Sequence, residues 1–179
     1  LTRAAKESGM SEALFESHDE KPTNSFLYSL VMDSYAMGYA TSSYMDMPIN
    51  HKIFLAQFET IKKIAREESC VIVGRCADYA LADNPNLISV FIVAEDEDKI
   101  ARIMETNDLK ADKAKDIMIK TDKRRSGYYN YYSSKRWGDV RSYDLCINSS
   151  KLGGVDGCVE AMKSYIEVRK KFHQAPAKQ

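Results

Sequence analysis

The chain has 179 residues, a length typical of one domain, and its apolar content of 44% is sufficient for a folded core. Lys and Arg together number 26, and Asp and Glu together also number 26, so the formal net charge is zero. This balance argues against a partner that is recognised by overall charge, such as a nucleic acid or an anionic membrane surface. Any anion site must therefore come from local clustering of basic residues.

The four cysteines indicate the redox environment. Cys70, Cys76, Cys146 and Cys158 form no C-x-x-C pair, which favours buried thiols in a reducing compartment over a disulfide framework or a zinc site. No apolar run approaches the length of a membrane span, and no signal peptide is apparent. We therefore expect a cytoplasmic protein with no membrane partner and no protein-bound metal.

The first third of the chain is predicted to be helical. Residues 1–8 have a helical pattern that Gly9 ends, and residues 11–17 form a second short helix. Residues 26–47 are rich in Tyr and Met, and core packing or an oligomer face is favoured there over a surface that binds a base. An amphipathic helix follows over residues 53–68.

The middle of the chain has the alternation of an α/β protein. Residues 70–73 and 90–93 are continuous β-branched runs, the pattern of strands that are covered on both faces in a parallel sheet. A helix of one or two turns is expected at residues 79–83. Further helices are predicted from residue 95 and over residues 111–121, where acids in the first turn of the former suit the helix dipole.

The last part of the chain is predicted to contain a strand, a helix and a flexible tail. Residues 143–148 give the last clear strand. Residues 155–172 form the terminal helix, with four apolar residues facing inward: Val155, Val159, Met162 and Ile166. Residues 173–179 are polar and expected to be frayed.

Arg75 is the first candidate site residue. It follows the predicted strand at residues 70–73, and ligands of open α/β sheets bind beyond the carboxyl ends of strands. A planar guanidinium with five donors suits bidentate binding of a phosphate. The alternative is a surface arginine that caps a loop or pairs with Asp78.

Residues 122–137 combine basic and aromatic side chains and have three interpretations. They could form a nucleic-acid strip in which tyrosines stack on bases, or a lid that brings arginines onto the phosphates of a bound nucleotide. They could also be a solvated helix end above packed aromatic rings. The neutral charge of the chain argues against a dedicated nucleic-acid binder.

Spacing within this segment favours the lid. Asp122 and Arg125 are three residues apart and share a helix face, so the carboxylate could orient a guanidinium for phosphate. Phosphoryl transfer requires mainly positioning and positive charge, which Arg75, Arg124 and Arg125 would supply. None of the eight glycines lies in a G-x-x-x-x-G-K-[ST] loop, so the usual triphosphate cradle is not in this sequence.

Four segments together resemble the cytidylate kinase-like family of P-loop nucleoside monophosphate kinases. They are Val71-Ile-Val-Gly-Arg-Cys-Ala-Asp, Asp122-Lys-Arg-Arg-Ser-Gly-Tyr-Tyr, Lys135-Arg-Trp-Gly and Tyr143-Asp-Leu-Cys-Ile-Asn-Ser. The resemblance extends over nearly the whole chain, from residue 1 to about residue 172. It implies a single three-layer α/β domain over residues 1–172 with a P-loop NTPase-like parallel sheet. A helical lid is expected at about 121–140, and a helical region on the monophosphate side at about 10–66.

The resemblance also implies roles for particular residues. In such kinases a Gly-Arg-Asp follows a core strand and the arginine contacts the monophosphate, which matches Arg75. The family aspartate falls on Cys76, so Asp78 becomes the candidate carboxylate for the acceptor. A lid arginine of the family falls on Met118. The remaining roles implied are catalysis by Asp122, Arg124 and Arg125, acceptor binding by Arg136, and proximity to the adenine for Ser149, Lys151 and Gly153.

Three functions are therefore expected, in order of preference. The first is transfer of the γ-phosphoryl group of ATP, with Mg²⁺, to CMP or a related monophosphate. The second is a regulatory module that binds nucleotide without catalysis, suggested by Cys76, Met118 and the lack of a phosphate loop. The third is an interaction protein that forms a homo-oligomer through residues 26–47. Family members begin with a strand, a phosphate-binding loop and a helix, which we expect to precede Leu1.

Overall fold

The computed structural model describes residues 1–18, residue 20 and residues 48–172. The predicted oligomer face at residues 26–47 and the predicted tail at residues 173–179 lie outside the described residues. The described elements are α1 (Thr2–Ser8), α2 (Glu12–Ser17), α3 (Ile49–Glu67), α4 (Ala77–Ala80), β1 (Val90–Val93), α5 (Asp96–Asn107), α6 (Ala111–Ser133), a 3₁₀ turn (Val140–Ser142), β2 (Leu145–Asn148) and α7 (Val155–Phe172).

The described residues divide into two compact units. Unit 1 contains the described part of Leu1–Leu81 together with Tyr131–Ser133, the last three residues of α6. Unit 2 contains Ala82–Asn130 and the described residues from Ser134 onward. The single domain and the lid limits expected from sequence stay predictions.

Unit 1 is built on helix α3. Buried alanines Ala4 and Ala5 of α1 form one core with Phe15 of α2 and Ile53 of α3. Two small side chains on one face of α1 allow its backbone to pack close to its neighbours. Gly9, with φ 72°, then ends α1 in the left-handed conformation that glycine adopts without a steric penalty. The predicted helices at residues 1–8, 11–17 and 53–68 are confirmed to within a few residues.

An aromatic stack completes unit 1. The rings of Phe54 and Tyr132 lie 4.0 Å apart between centroids and 10° from parallel, and both side chains are almost fully buried. His51, also buried, donates to or accepts from the Tyr131 hydroxyl through Nε2 at 3.2 Å. Burial lowers the pKa of His51 because the charged imidazolium is disfavoured away from water.

Unit 2 contains a parallel pair of strands. Val90 lies opposite Leu145 and Val93 opposite Asn148, so both strands end at the same edge. Helix α7 packs on β2, where Ile147 and Cys158 are buried. These strands confirm the predictions at residues 90–93 and, with two residues fewer, at 143–148. The described architecture is mixed α/β with a small parallel sheet, and the predicted three-layer sheet is not seen among the described residues.

The predicted strand at residues 70–73 is wrong for the described structure. These residues have no regular secondary structure and make no backbone hydrogen bond within the described part of the chain. The side chains of Val71 and Val73 are 95% and 84% exposed. A β-branched run favours a strand, but a strand forms only where another strand supplies the hydrogen bonds.

The inward face of α7 also differs from the prediction. Val155 and Val159 are exposed, whereas the buried or half-buried positions are Gly157, Cys158, Ala161, Met162, Tyr165, Ile166 and Arg169. The observed stripe keeps helical spacing but is rotated, because cysteine, alanine and tyrosine contribute to the contact as well as branched aliphatic residues. Arg169 takes part through its guanidinium, which reaches Asp144 and the carbonyl of Pro85.

No helix in the portion of the chain that the structure describes is both long and apolar enough to cross a membrane.

Candidate functional site

Arg75 lies in an unusual turn of unit 1. Gly74, Arg75 and Cys76 have φ values of 72°, 57° and 54°, so three consecutive residues adopt the left-handed conformation. Non-glycine residues are uncommon there, and strained backbone of this kind is concentrated at functional sites. The turn is held by hydrogen bonds from Ala77 N to Gly74 O at 3.1 Å and from Ala80 N to Cys76 O at 2.9 Å.

The guanidinium of Arg75 is held by a carboxylate that sequence reasoning missed. Nη1 of Arg75 donates to Oε1 of Glu20 at 2.8 Å, and the two side chains are 27% and 10% exposed. The sequence alternative paired Arg75 with Asp78, which lies half-buried in the first turn of α4. Glu20 is 55 residues from Arg75 in a polar stretch without periodicity, so no local signal marks it.

The predicted lid residues lie along α6 in unit 2. Arg124 and Arg125 are exposed, whereas Asp122 is half-buried. The described ion pair of Asp122 is with Lys99 of α5, whose Nζ lies 3.2 Å from Oδ2. Although burial opposes the charged form, hydrogen bonds with Asp96 and Asp122 raise the pKa of Lys99. Asp122 therefore fastens α5 to α6, a contact that the sequence did not suggest.

Aromatic rings around the basic segment pack inside the protein. Tyr128 and Tyr129 are 5% and 7% exposed, and in unit 2 Phe91 stacks on Tyr143 and meets Trp137 edge to face. The two tyrosines are thus not available to stack on the bases of a nucleic acid. The geometry matches the interpretation of a basic helix surface above packed rings, which a lid would share.

Arg136 and Met118 complete the lid candidates. Arg136 is exposed in the turn that follows α6, and its carbonyl accepts a hydrogen bond from Asp139 N at 3.1 Å. Asp139 in turn accepts from Nε and Nη2 of Arg141 at 2.9 and 2.6 Å, which lowers its pKa to about 2. Met118 is buried, so this position supplies packing where the resemblance implies a cation.

The loop after β2 contains the candidates for the nucleoside end of ATP. Ser149 N donates to Val93 O at 2.8 Å, which joins the carboxyl ends of both strands. Gly153, with φ 71°, closes the loop, and Lys151 Nζ lies 3.6 Å from Glu95 Oε1. The same carboxylate oxygen accepts from Asn148 Nδ2 at 3.1 Å.

The loop after β2 contacts the acidic start of α5 through the ion pair of Lys151 with Glu95. Glu95 precedes three further acids in the first turn of α5, and carboxylates repel phosphate groups. Among the described residues, no group of three or more His, Cys, Asp or Glu could hold a metal ion.

The candidates belong to different units. Arg75 and Asp78 lie in unit 1, whereas the lid candidates and the loop after β2 lie in unit 2. Within the units, the structure brings Arg75 to Glu20, Asp122 to Lys99 and Lys151 to Glu95. Convergence of Arg75 with Arg124 and Arg125 on one phosphate stays a prediction.

Comparison with known proteins adds independent information. Residues 1–151 match the model of the cytidylate kinase-like family. A crystal structure of an uncharacterized protein from Eubacterium ventriosum ATCC 27560 is similar, with 38% sequence identity and a TM-score of 0.64. The similarity covers 79% of this chain and 91% of that chain. No curated protein matches significantly. The family match suggests a nucleotide kinase-like function, and the chain belongs to the cytidylate kinase-like family.

Proposed function

We propose that this protein is a nucleoside monophosphate kinase that transfers the γ-phosphoryl group of ATP to CMP or a related monophosphate. The observation that carries the proposal is Arg75. Its guanidinium is half-buried, lies in a left-handed turn and is restrained by a buried carboxylate, in a chain of the cytidylate kinase-like family. A restrained, partly desolvated guanidinium is suited to binding an anion at a fixed position.

The proposed reaction is a direct displacement. A phosphate oxygen of the monophosphate attacks the γ-phosphorus, and the bond from that phosphorus to the oxygen bridging it to the β-phosphate breaks, which yields the nucleoside diphosphate and ADP. Mg²⁺ bound with ATP would neutralise charge on the β- and γ-phosphates. The acceptor phosphate is negative before and during attack, so a cation that fixes it both raises affinity and aligns the reacting oxygen.

The chain's residues take separable roles in this proposal. Arg75 binds the acceptor phosphate and Asp78 orients the acceptor. Arg124, Arg125 and Arg136 supply positive charge to the transferring group, and Asp122 positions the helix that carries the first two through its contact with Lys99. The ATP base and ribose lie against a loop containing Ser149, Lys151 and Gly153.

The proposal extends to the fold. In the proposed three-layer P-loop NTPase-like fold, β1 and β2 would be two strands of a larger parallel sheet. One observation supports this: β1 and β2 pair in parallel register, so both strands end at the same edge. An experimental structure of the protein in which β1 and β2 remain a sheet of two strands would contradict it.

A coupled assay that detects ADP tests the activity. The full-length protein is incubated with Mg·ATP and, separately, CMP, dCMP, UMP, AMP and GMP. We expect turnover with CMP and a loss of about a hundredfold in kcat/KM for Arg75→Met, since a positioning cation is removed. Arg66→Met is the matched control, because Arg66 is an exposed arginine of the same unit. Absence of turnover with every monophosphate would refute kinase activity, and equal loss in both variants would refute the role of Arg75.

A nucleotide-binding module without catalysis is the second candidate. Two buried positions favour it: Cys76 stands where the resemblance implies a carboxylate, and Met118 where it implies an arginine. Calorimetric titration with CMP and with ATP separates the candidates. Binding without turnover supports the module, turnover supports the kinase, and absence of binding removes both.

A further inference from the structure

We propose that Glu20 is a positioning residue that fixes the guanidinium of Arg75 for the acceptor phosphate. The inference rests on the proposed function, because it concerns the same site. It adds a residue that no motif or resemblance identifies.

The first support is burial of the contact. The Glu20 side chain is 10% exposed, and its Oε1 lies 2.8 Å from Arg75 Nη1. An ion pair between long, solvated side chains is easily broken, whereas a buried carboxylate is stable only when charged partners or hydrogen bonds satisfy it. This pair therefore holds one geometry of the guanidinium more firmly than a surface pair would.

The second support is the backbone on both sides of the contact. Glu20 has φ 52°, and it faces a turn in which Gly74, Arg75 and Cys76 also have positive φ. A Cβ placed on Gly74 would lie 3.5 Å from Oε1 of Glu20, so the carboxylate packs directly against the turn. Cys76 of the same turn is buried, and its carbonyl oxygen accepts a hydrogen bond from Ala80 N. Both partners are thus placed by backbone that few sequences adopt.

The third support concerns charge. A carboxylate beside Arg75 reduces the positive potential that attracts phosphate, so Glu20 would weaken a site that depended on charge alone. Any contribution of Glu20 to phosphate binding must therefore come from the geometry that it imposes on the guanidinium of Arg75. A guanidinium has five N–H donors in a rigid fork, and restraining one nitrogen sets the plane in which the fork meets a phosphate.

This reasoning separates two substitutions at one position. Glu20→Gln keeps an oxygen that accepts a hydrogen bond and removes the charge, so it should preserve the geometry. Glu20→Ala removes both. We expect the KM for CMP to rise roughly tenfold or more in Glu20→Ala, with little change in the KM for ATP, and to stay within about threefold in Glu20→Gln.

The experiment uses the full-length protein with CMP as the probe, measured by calorimetric titration and by steady-state kinetics. Glu59→Ala and Glu59→Gln are matched controls, because Glu59 is an exposed glutamate of the same unit. Arg75→Met is included in every series. Thermal melts establish whether each variant is folded. If Glu20→Ala does not fold, Glu20→Gln provides the test: the inference expects this variant to bind CMP as the wild type does, and weaker binding would contradict it.

The outcomes are distinct. Weakened CMP binding in Glu20→Ala with recovery in Glu20→Gln supports the inference. Tighter binding in both variants would show that Glu20 competes with phosphate for Arg75 and would overturn it. If Arg75→Met weakens binding while both Glu20 variants equal the wild type, only the inference on Glu20 fails. If the wild type binds no CMP, or if Arg75→Met binds as tightly as the wild type, the proposed site itself fails and Glu20 with it.

Discussion

Two glycines inside helices of unit 2 predict opposite effects of the same substitution. Gly157 lies in the first turns of α7, where an added Cβ would overlap the backbone carbonyl oxygen of Leu152 and come within 2.8 Å of the carbonyl carbon. Gly127 lies inside α6, and an added Cβ there meets nothing within 4 Å. Neither glycine has a positive φ, so conformational freedom is not the reason for either.

Whether each substitution stabilises or destabilises the protein depends on the gain in helix propensity and the cost of overpacking. Replacing glycine by alanine inside a helix stabilises it by about 1 kcal/mol through intrinsic propensity. At Gly127 nothing opposes this gain, so Gly127→Ala should raise the free energy of unfolding by roughly 0.5–1 kcal/mol. At Gly157 the obstacle is backbone rather than a flexible side chain, and overpacking costs about 1–3 kcal/mol or more. Subtracting the propensity gain from this cost, we expect Gly157→Ala to lower the free energy of unfolding by up to roughly 2 kcal/mol.

Urea unfolding followed by circular dichroism measures both variants beside the wild type, and thermal melts provide a second estimate. A change of 1 kcal/mol should move the melting temperature by about 2–4 °C in a protein of this size. The reasoning on close packing would be refuted if Gly157→Ala were as stable as Gly127→Ala. Because Leu152 lies in the loop after β2, we also expect Gly157→Ala to weaken ATP binding more than Gly127→Ala does.

Three further predictions concern contacts within the units. His51 should make the protein less stable as the pH falls below about 6.5, because burial lowers the pKa of His51 in the folded state and the unfolded state then binds more protons. Urea unfolding at pH 7.5 and 5.5 should show a lower free energy of unfolding at pH 5.5 in the wild type and a smaller difference in His51→Gln. Lys99→Met removes the ion-pair partner of Asp122 and should lower the free energy of unfolding by about 1 kcal/mol or less. If Asp122 positions the arginines of α6, the folded variant should also turn over substrate more slowly, and turnover equal to that of the wild type would contradict this role. Tyr132→Ala should destabilise by about 3–5 kcal/mol through loss of the stack on Phe54. Tyr132→Phe keeps the ring and loses the 3.4 Å hydrogen bond to the carbonyl oxygen of Asn50, so it should cost about 1 kcal/mol, and similar denaturation midpoints for the two variants would contradict the role of the stack.

Elements with local periodicity could be predicted from the sequence. The apolar spacing of α3 and α7 and the β-branched run of β1 depend on neighbours within a few residues, and their bounds follow closely. The same local information did not show whether residues 70–73 form a strand. Their composition indicates a strand, but pairing depends on a second segment, and among the described residues none supplies it.

Contacts between distant residues were not accessible to this reasoning. The partner of Arg75 is Glu20, 55 residues away, and the partner of Asp122 is Lys99, 23 residues away. Spacing on one helix suggested Arg125 for Asp122, because such arguments consider only residues three or four positions apart. The arginines themselves were found from residue type and motif, while what holds them in place required coordinates.

Cys76, which stands where the resemblance implies an aspartate, can be related to the contact between Glu20 and Arg75 that the sequence did not indicate. An aspartate suits a left-handed backbone better than most residues do, and residue 76 has φ 54°. Yet this position is buried, and a carboxylate there would need a cation or several hydrogen bonds to offset its desolvation. In this chain Arg75, the nearest cation in sequence, is already paired with the carboxylate of Glu20. A carboxylate at residue 76 would follow directly in sequence a guanidinium that already binds one carboxylate, whereas the neutral, compact thiol of Cys76 can be buried there without a charged partner.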